Sequence, residues 1–201
     1  MVSGSALNAI VQDYRSYAST RADEDAWWRA KDESIDGAID RAARARTRRG
    51  RHSHQRRQSA ATLAECARRL KAIAGELAAC RTFHDLFLRV ERALQDIPGV
   101  GELVIYDTAD RIGHHLALSP DRIYLHRGTR EGALALVNGL KRADQSITIE
   151  QLPIELQVLA NREAEDVLCS YKAVLHGRAS SLTDASSCTS GSRGRGASRV
   201  C

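Results

Sequence analysis

Residues 82–116 read TFHDLFLRVERALQDIPGVGELVIYDTADRIGHHL, and their pattern decides the fold class. Phe83, Leu86, Phe87, Val90, Ala93 and Leu94 recur at three and four residues, the spacing of one helix face. Thr82 stands just before them and suits an N-cap, because its hydroxyl can accept one of the first unbonded amides. Ile97-Pro-Gly-Val-Gly101 breaks the pattern sharply. Helical spacing then resumes with Leu103, Tyr106, Ala109, Ile112 and Leu116. The stretch predicts two amphipathic helices joined by a Pro-Gly turn.

The same period extends outward in both directions. Upstream, Leu63, Cys66, Ala67, Leu70, Ile73, Ala74, Leu77 and Cys80 form one stripe and predict a single helix. The stretch from Glu24 to Arg46 puts Trp27, Trp28, Ile35, Ala38, Ile39 and Ala42 on its apolar side, with an acidic start and a basic end that suit the helix dipole. Leu7, Ile10, Val11, Tyr14 and Tyr17 mark another helix, expected to form a hairpin with the one after it. Downstream, Ser119-Pro120 ends the helical run and residues 122–126 are too short to classify. Thr129 suits the cap of a helix carrying Ala133, Leu136, Val137 and Leu140, Ile147–Ile149 reads as extended, and Pro153 suits a helix start. A last helix over 161–175 turns Ala164, Val167, Leu168, Tyr171 and Val174 inward. From Ala179 the chain is mostly Ser, Gly, Arg and Thr, too poor in apolar side chains to enter a core, and disorder is expected there. The expected fold is all-α: an N-terminal helical hairpin over 1–58 ending in an Arg-rich segment, a helical core over 59–178 and a disordered tail over 179–201.

The bulk numbers agree with one ordinary domain plus appendages. An apolar fraction of 43% supplies a core, and an aromatic fraction of 4% leaves its packing to Leu, Ile, Val and Ala. No apolar run approaches the roughly 18 residues that cross a bilayer, and the first residues lack the basic and apolar regions of a signal peptide. The expectation is a cytoplasmic protein without a membrane partner. Five cysteines fit that address. Cys66 and Cys80 lie too far apart along one predicted helix to pair, roughly 21 Å at about 1.5 Å per residue. No C-x-x-C pair occurs, so no metal and no other cofactor is expected.

Charge is more informative by position than in total. Residues 1–40 carry four basic and eight acidic side chains, whereas 41–57 carry eight arginines and no acid. Residues 58–177 are slightly acidic, with fourteen basic and sixteen acidic side chains. Eight arginines so close together repel one another unless they are solvated or meet a polyanion, and a guanidinium offers forked donors that match phosphate. Arg48, Arg49, Arg51, His52, His54, Arg56 and Arg57 are therefore candidate nucleic-acid contacts. Arg193 and Arg195 in the tail could add weak, sequence-blind binding. His52 and His54 have no acid or cysteine close in sequence, which argues against a metal there. Trp27 and Trp28 read as core with one ring partly exposed.

The turn Leu94-Gln-Asp-Ile-Pro-Gly-Val-Gly101 resembles the hairpin of the helix-hairpin-helix superfamily, whose turn runs apolar-Pro-Gly-apolar-Gly. The resemblance implies that Gly99 permits the tight turn, that Gly101 lets backbone approach a phosphate, and that the next amides face the anion. Ala109 and Arg111 fall roughly where such proteins carry a small and a basic residue. Residues from about Leu63 to Tyr171 are distantly similar to the helical core of helix-hairpin-helix DNA glycosylases. That likeness would make Asp121, twenty residues after Gly101, a weak catalytic candidate. Two departures stand against it. Leu103 occupies the place of the Schiff-base lysine, and the context expected around the acid is missing. The hairpin is also flanked by Asp96, Glu102, Asp107 and Asp110 against Arg111 alone, so an incoming phosphate would meet net negative charge.

The leading expectation is a non-enzymatic nucleic-acid-binding protein, for DNA before RNA, that contacts phosphates through the Arg-rich segment with help from the hairpin amides at Gly99 and Gly101 and from Arg111. The rivals are a repair enzyme of the glycosylase type and a protein-interaction module that binds no nucleic acid.

Overall fold

The computed structural model describes residues 2–30, 34–48 and 50–178. It is all-α, as the periodicity predicts, with two short antiparallel strand pairs among the helices. No described helix is long and apolar enough to cross a membrane. The tail expected to be disordered from Ala179 lies outside the described residues.

The chain divides into two compact units, and not at residue 58. One unit joins residues 2–18 to residues 122–178, and the other runs from Ser19 to Asp121. The expected N-terminal hairpin is therefore not one unit. Its first helix, α1 (Gly4–Ser16), is started by the Ser3 hydroxyl accepting from the Ala6 amide. Its stripe of Leu7, Ile10, Val11 and Tyr14 is buried, as predicted, but in the same core as Ile123, Leu125, Val167 and Leu168. Helical spacing shows that a face must be covered and does not show by what.

This first unit continues with β3 (Ile123–Tyr124), α8 (Arg127–Leu134), β4 (Ser146–Ile147), α9 (Asn161–Ser170) and α10 (Lys172–Leu175). β3 and β4 pair antiparallel, with Ile123 opposite Ile147. Tyr14 donates to Asp166 at 3.0 Å and Tyr171 donates to Asp13 at 2.6 Å, so two buried phenols reciprocally fasten α1 to the C-terminal helices. α8 and α9 cross closely because Gly132 is bare: a Cβ there would run into the Leu168 carbonyl. Pro153 starts no helix; residues 154–158 form turns.

The second unit holds α2 (Ala18–Trp28), α3 (Ile35–Ala43), the hairpin β1 (Arg46–Thr47) and β2 (Gly50–Arg51), then α4 (Ala60–Ala72), α5 (Ala74–Ala78), α6 (Phe83–Leu94) and α7 (Glu102–Leu116). Thr82 caps α6 as expected, accepting from the Asp85 amide at 3.1 Å. The stripe predicted as one helix from Leu63 to Cys80 breaks at Ile73, whose φ of −116° is non-helical. α7 is the central helix. It buries Val104, Ile105, Tyr106, Asp107, Thr108 and Ala109, and then Arg111, Ile112, Gly113 and His114, far more than one stripe.

Candidate nucleic-acid interface

The Arg-rich segment links α3 to α4 and has more structure than a loop. Ala45 turns the chain out of α3 with a left-handed φ of 52°. β1 then pairs with β2, Arg46 opposite Arg51 and Thr47 opposite Gly50. The Thr47 hydroxyl donates to the Gly50 carbonyl at 2.8 Å, and Gly50 takes a φ of +107° that favours glycine. The His52 amide returns to the Ala45 carbonyl at 2.8 Å. A 3₁₀ turn over Ser53–Gln55 follows.

This segment is anchored from beneath by a polar network on α7. Gln55, only 1% exposed, donates to Asp107 Oδ2 at 2.6 Å, and His54 Nδ1 lies 3.0 Å from the same oxygen. Arg111 donates to Asp107 Oδ2 at 3.2 Å, to Gln55 Oε1 at 2.9 Å and to the Ala42 carbonyl at 3.4 Å, under the ring of Trp28 at 5.1 Å. His52 Nδ1 accepts from the His54 amide, which leaves Nε2 to donate to Glu24 at 3.2 Å. Burial by itself would raise the Asp107 pKa. The charges of His54 and Arg111, with the hydrogen bonds from His54 and Gln55, outweigh burial and hold the carboxyl far below the usual range. Glu24 is lowered too, first by its hydrogen bond to His52.

The arginines accordingly sort into two sets. Arg44 and Arg46 pair with Asp40 at 3.0 and 3.1 Å, and Lys71 joins them at 3.0 Å. Arg41 lies over the Trp27 ring at 5.3 Å and donates to the Trp28 carbonyl. Arg48, Arg51, Arg56 and Arg57 are exposed and meet no carboxylate among the described residues. Arg48 stacks over Trp27 at 5.5 Å, and Arg51 donates to the Gln58 carbonyl at 2.7 Å. Arg49 lies outside the described residues. Of the other expected contacts, His54 and His52 face the protein's own acids. Arg111 is 5% exposed, with its guanidinium committed to the network, so it does not present itself to solvent.

The Pro-Gly turn lies against the end of this segment. The Val100 amide closes on the Ile97 carbonyl at 3.0 Å, with Pro98 and Gly99 at the corners and Gly99 at a φ of +86°. Gln58 Oε1 lies 3.6 Å from where a Gly99 Cβ would stand. Gly101 is the N-cap of α7 with extended backbone, no side-chain cap and open space where its Cβ would be. The acids that flank the turn in sequence are partly neutralised in space. Asp96 meets Arg69 at 2.5 Å, Asp107 is inside the network and Asp110 lies 3.6 Å from His114. Exposed Glu102 lies in the first turn of α7. Ala109 is core, and Asp121 is exposed at a bend after buried Pro120.

Two groups of side chains with metal-ligand donors converge among the described residues: His52, His54 and Asp107, and in the other unit His126, Glu165 and Cys169. The sequence offered the pair His52 and His54 but not Asp107, which lies more than fifty residues away, and the second group was missed altogether. Its only local signals were the i, i+4 spacing of Glu165 and Cys169 and the run His126, Gly128, Thr129. In the first group Arg111 already supplies the cation, 3.2 Å from Asp107. No protein-family model, no curated protein and no solved structure matches this chain.

Proposed function

We propose that the unit from Ser19 to Asp121 binds nucleic acid, DNA before RNA, through phosphate contacts and without catalysis. The observation that carries this reading is the sorting of the arginines. Four exposed guanidiniums, at Arg48, Arg51, Arg56 and Arg57, meet no carboxylate among the described residues and stand on one short segment that is itself rigidly anchored. Anchoring lowers the entropy lost when these side chains engage a polyanion. The open backbone at Gly101, beside that segment, offers amides to the same backbone phosphates. Arg111, His52 and His54 then hold the segment in place and do not touch the ligand.

The test is a set of binding titrations across salt concentration, using single- and double-stranded DNA and RNA. For about three phosphate contacts the slope of log K against log salt is expected to be about −2.7. Changing Arg48, Arg51, Arg56 and Arg57 together to Gln should remove most of the affinity and most of that slope, while the melting temperature holds. A variant that unfolds would mean these side chains pair within the protein. A wild-type chain that binds none of the four probes at low salt would exclude the reading.

A further inference from the structure

The second group of converging donors lies in the unit of α1, α8 and α9, and it differs in kind from the network under the Arg-rich segment. His126 follows β3 and caps α8, its Nδ1 accepting from the Gly128 amide at 3.2 Å. Glu165 and Cys169 stand one turn apart on α9 and so share a face. Glu165 Oε1 is reached by His126 Nε2 at 2.6 Å and by the Thr129 hydroxyl at 2.6 Å. His126, Glu165 and Cys169 are 4%, 5% and 8% exposed, and one donor atom of each lies within 4.8 Å of the others.

Three features point to a cation. The first is charge. Glu165 is a buried carboxylate whose contacts among the described residues are His126 and Thr129, so its one possible counter-charge is an imidazole, cationic only when protonated, with no arginine or lysine beside it. Burying a carboxylate is costly without a counter-charge. The second is packing. A Cβ on Gly128 would fall 2.6 Å from Cys169 Sγ and 3.4 Å from His126 Cε1, so the bare glycine is what lets the thiol stand beside the imidazole. The third is the donor set. Thiolate, imidazole and carboxylate together suit a borderline-soft divalent ion, and the two anionic ligands would cancel its charge in a buried place.

We propose that His126, Glu165 and Cys169 bind a zinc-type divalent ion, with the fourth position left to water or an incoming ligand. Binding releases the Cys169 thiol proton to solvent. The imidazole proton passes from Nε2, which takes the metal, to Nδ1, so the 3.2 Å contact with the Gly128 amide must open. Thr129 stays hydrogen-bonded to Glu165 and orients it. This site is independent of the nucleic-acid reading, which concerns the other unit.

The test is a Co²⁺ titration of the full-length chain with its thiols reduced, followed by displacement with Zn²⁺. One equivalent should give a sulfur-to-cobalt charge-transfer band in the near ultraviolet that Zn²⁺ bleaches. Cys169→Ser should abolish that band, Cys66→Ser and Cys80→Ser should keep it, and Glu165→Gln should weaken binding at least about 10-fold. No band in folded protein overturns the proposal, and so does a band that survives in Cys169→Ser. Should Cys169→Ser fail to fold, X-ray absorption of the zinc-loaded wild type decides. One sulfur near about 2.3 Å with nitrogen and oxygen near about 2.0 Å supports the site. A shell with no sulfur, or with several, overturns it.

Discussion

Asp107 and Glu165 are buried to similar depth, 9% and 5% exposed, each on the inner face of a helix and each beside a histidine. They differ in what completes the shell. Around Asp107 a guanidinium, an amide and an imidazole converge on one oxygen, so charge and hydrogen bonding close together. Around Glu165 the donors are an imidazole and a hydroxyl, with a thiol and a bare glycine alongside. A buried acid with its own arginine is part of the scaffold, and here that scaffold holds up the Arg-rich segment. A buried acid without one is poised to accept a cation. The two shells therefore assign different tasks to the same residue type.

The largest effect should come from opening the closed shell. Arg111→Met leaves Asp107 buried without its guanidinium and should cost about 3–5 kcal/mol in the unit that holds it. Trp27 and Trp28 both lie in that unit, so tryptophan fluorescence during urea unfolding reads it selectively. A loss below about 1 kcal/mol would mean that the network is not what holds the segment, and the contrast with Glu165 would collapse.

Acid provides the next test. The Asp107 pKa is lowered on folding, so its stabilisation is complete above the unfolded value of about 3.9 and is lost as pH falls below it. Glu24, also lowered, acts in the same direction. The tryptophan-bearing unit should lose up to about 1.4 kcal/mol per pH unit for each proton taken up below about pH 4. Asp107→Asn should flatten that dependence. An unchanged acid limb in this variant would place the sensitivity elsewhere.

In the open shell, Thr129→Val removes a hydroxyl hydrogen bond to a buried carboxylate and should cost about 1.5–3 kcal/mol. Hydrogen exchange of the α8 and α9 amides, without added metal, would localise the loss. Added Zn²⁺ should recover part of it by binding the folded state. Gln55→Leu, which removes a hydrogen bond from the other shell but keeps its guanidinium, should show no such recovery. If zinc restored both variants alike, the two shells would not differ in the way described.

These contrasts also explain what the sequence could and could not convey. Helix faces were legible wherever apolar residues alone repeat, as in α1 and α6. α7 was only half legible: its stripe was visible, but Asp107 and Arg111 read as charges facing an incoming phosphate, and nothing marked His114 as buried. They are buried because the helix is covered on several sides and its polar groups satisfy one another. The strands β1 to β4 are two residues each, too short to leave a period. Gln55 carries no local signal of burial; its partner is fifty-two residues away. The partition into two units was hidden for the same reason, since α1 is covered by chain more than a hundred residues later.

The smallest expected effect concerns the glycines, which serve the two shells differently. Gly128 is needed for space and Gly99 for its backbone angle, whereas Gly101 has neither requirement. Gly99→Ala must hold a φ of +86° and should cost about 1 kcal/mol. Gly101→Ala keeps an extended φ of −117° and meets nothing within 4 Å, so only two small terms act. Alanine is a poorer N-cap than glycine by some tenths of a kcal/mol, and it restricts the unfolded chain by a similar amount. The terms oppose each other, and the net change should stay within about 0.5 kcal/mol. Stability therefore gives no reason for glycine at 101. If Gly101→Ala left the melting temperature unchanged and yet weakened nucleic-acid binding, close approach of a ligand to this backbone would be the reason. Equal affinity in the two proteins would confine the contacts to the arginines beside the turn.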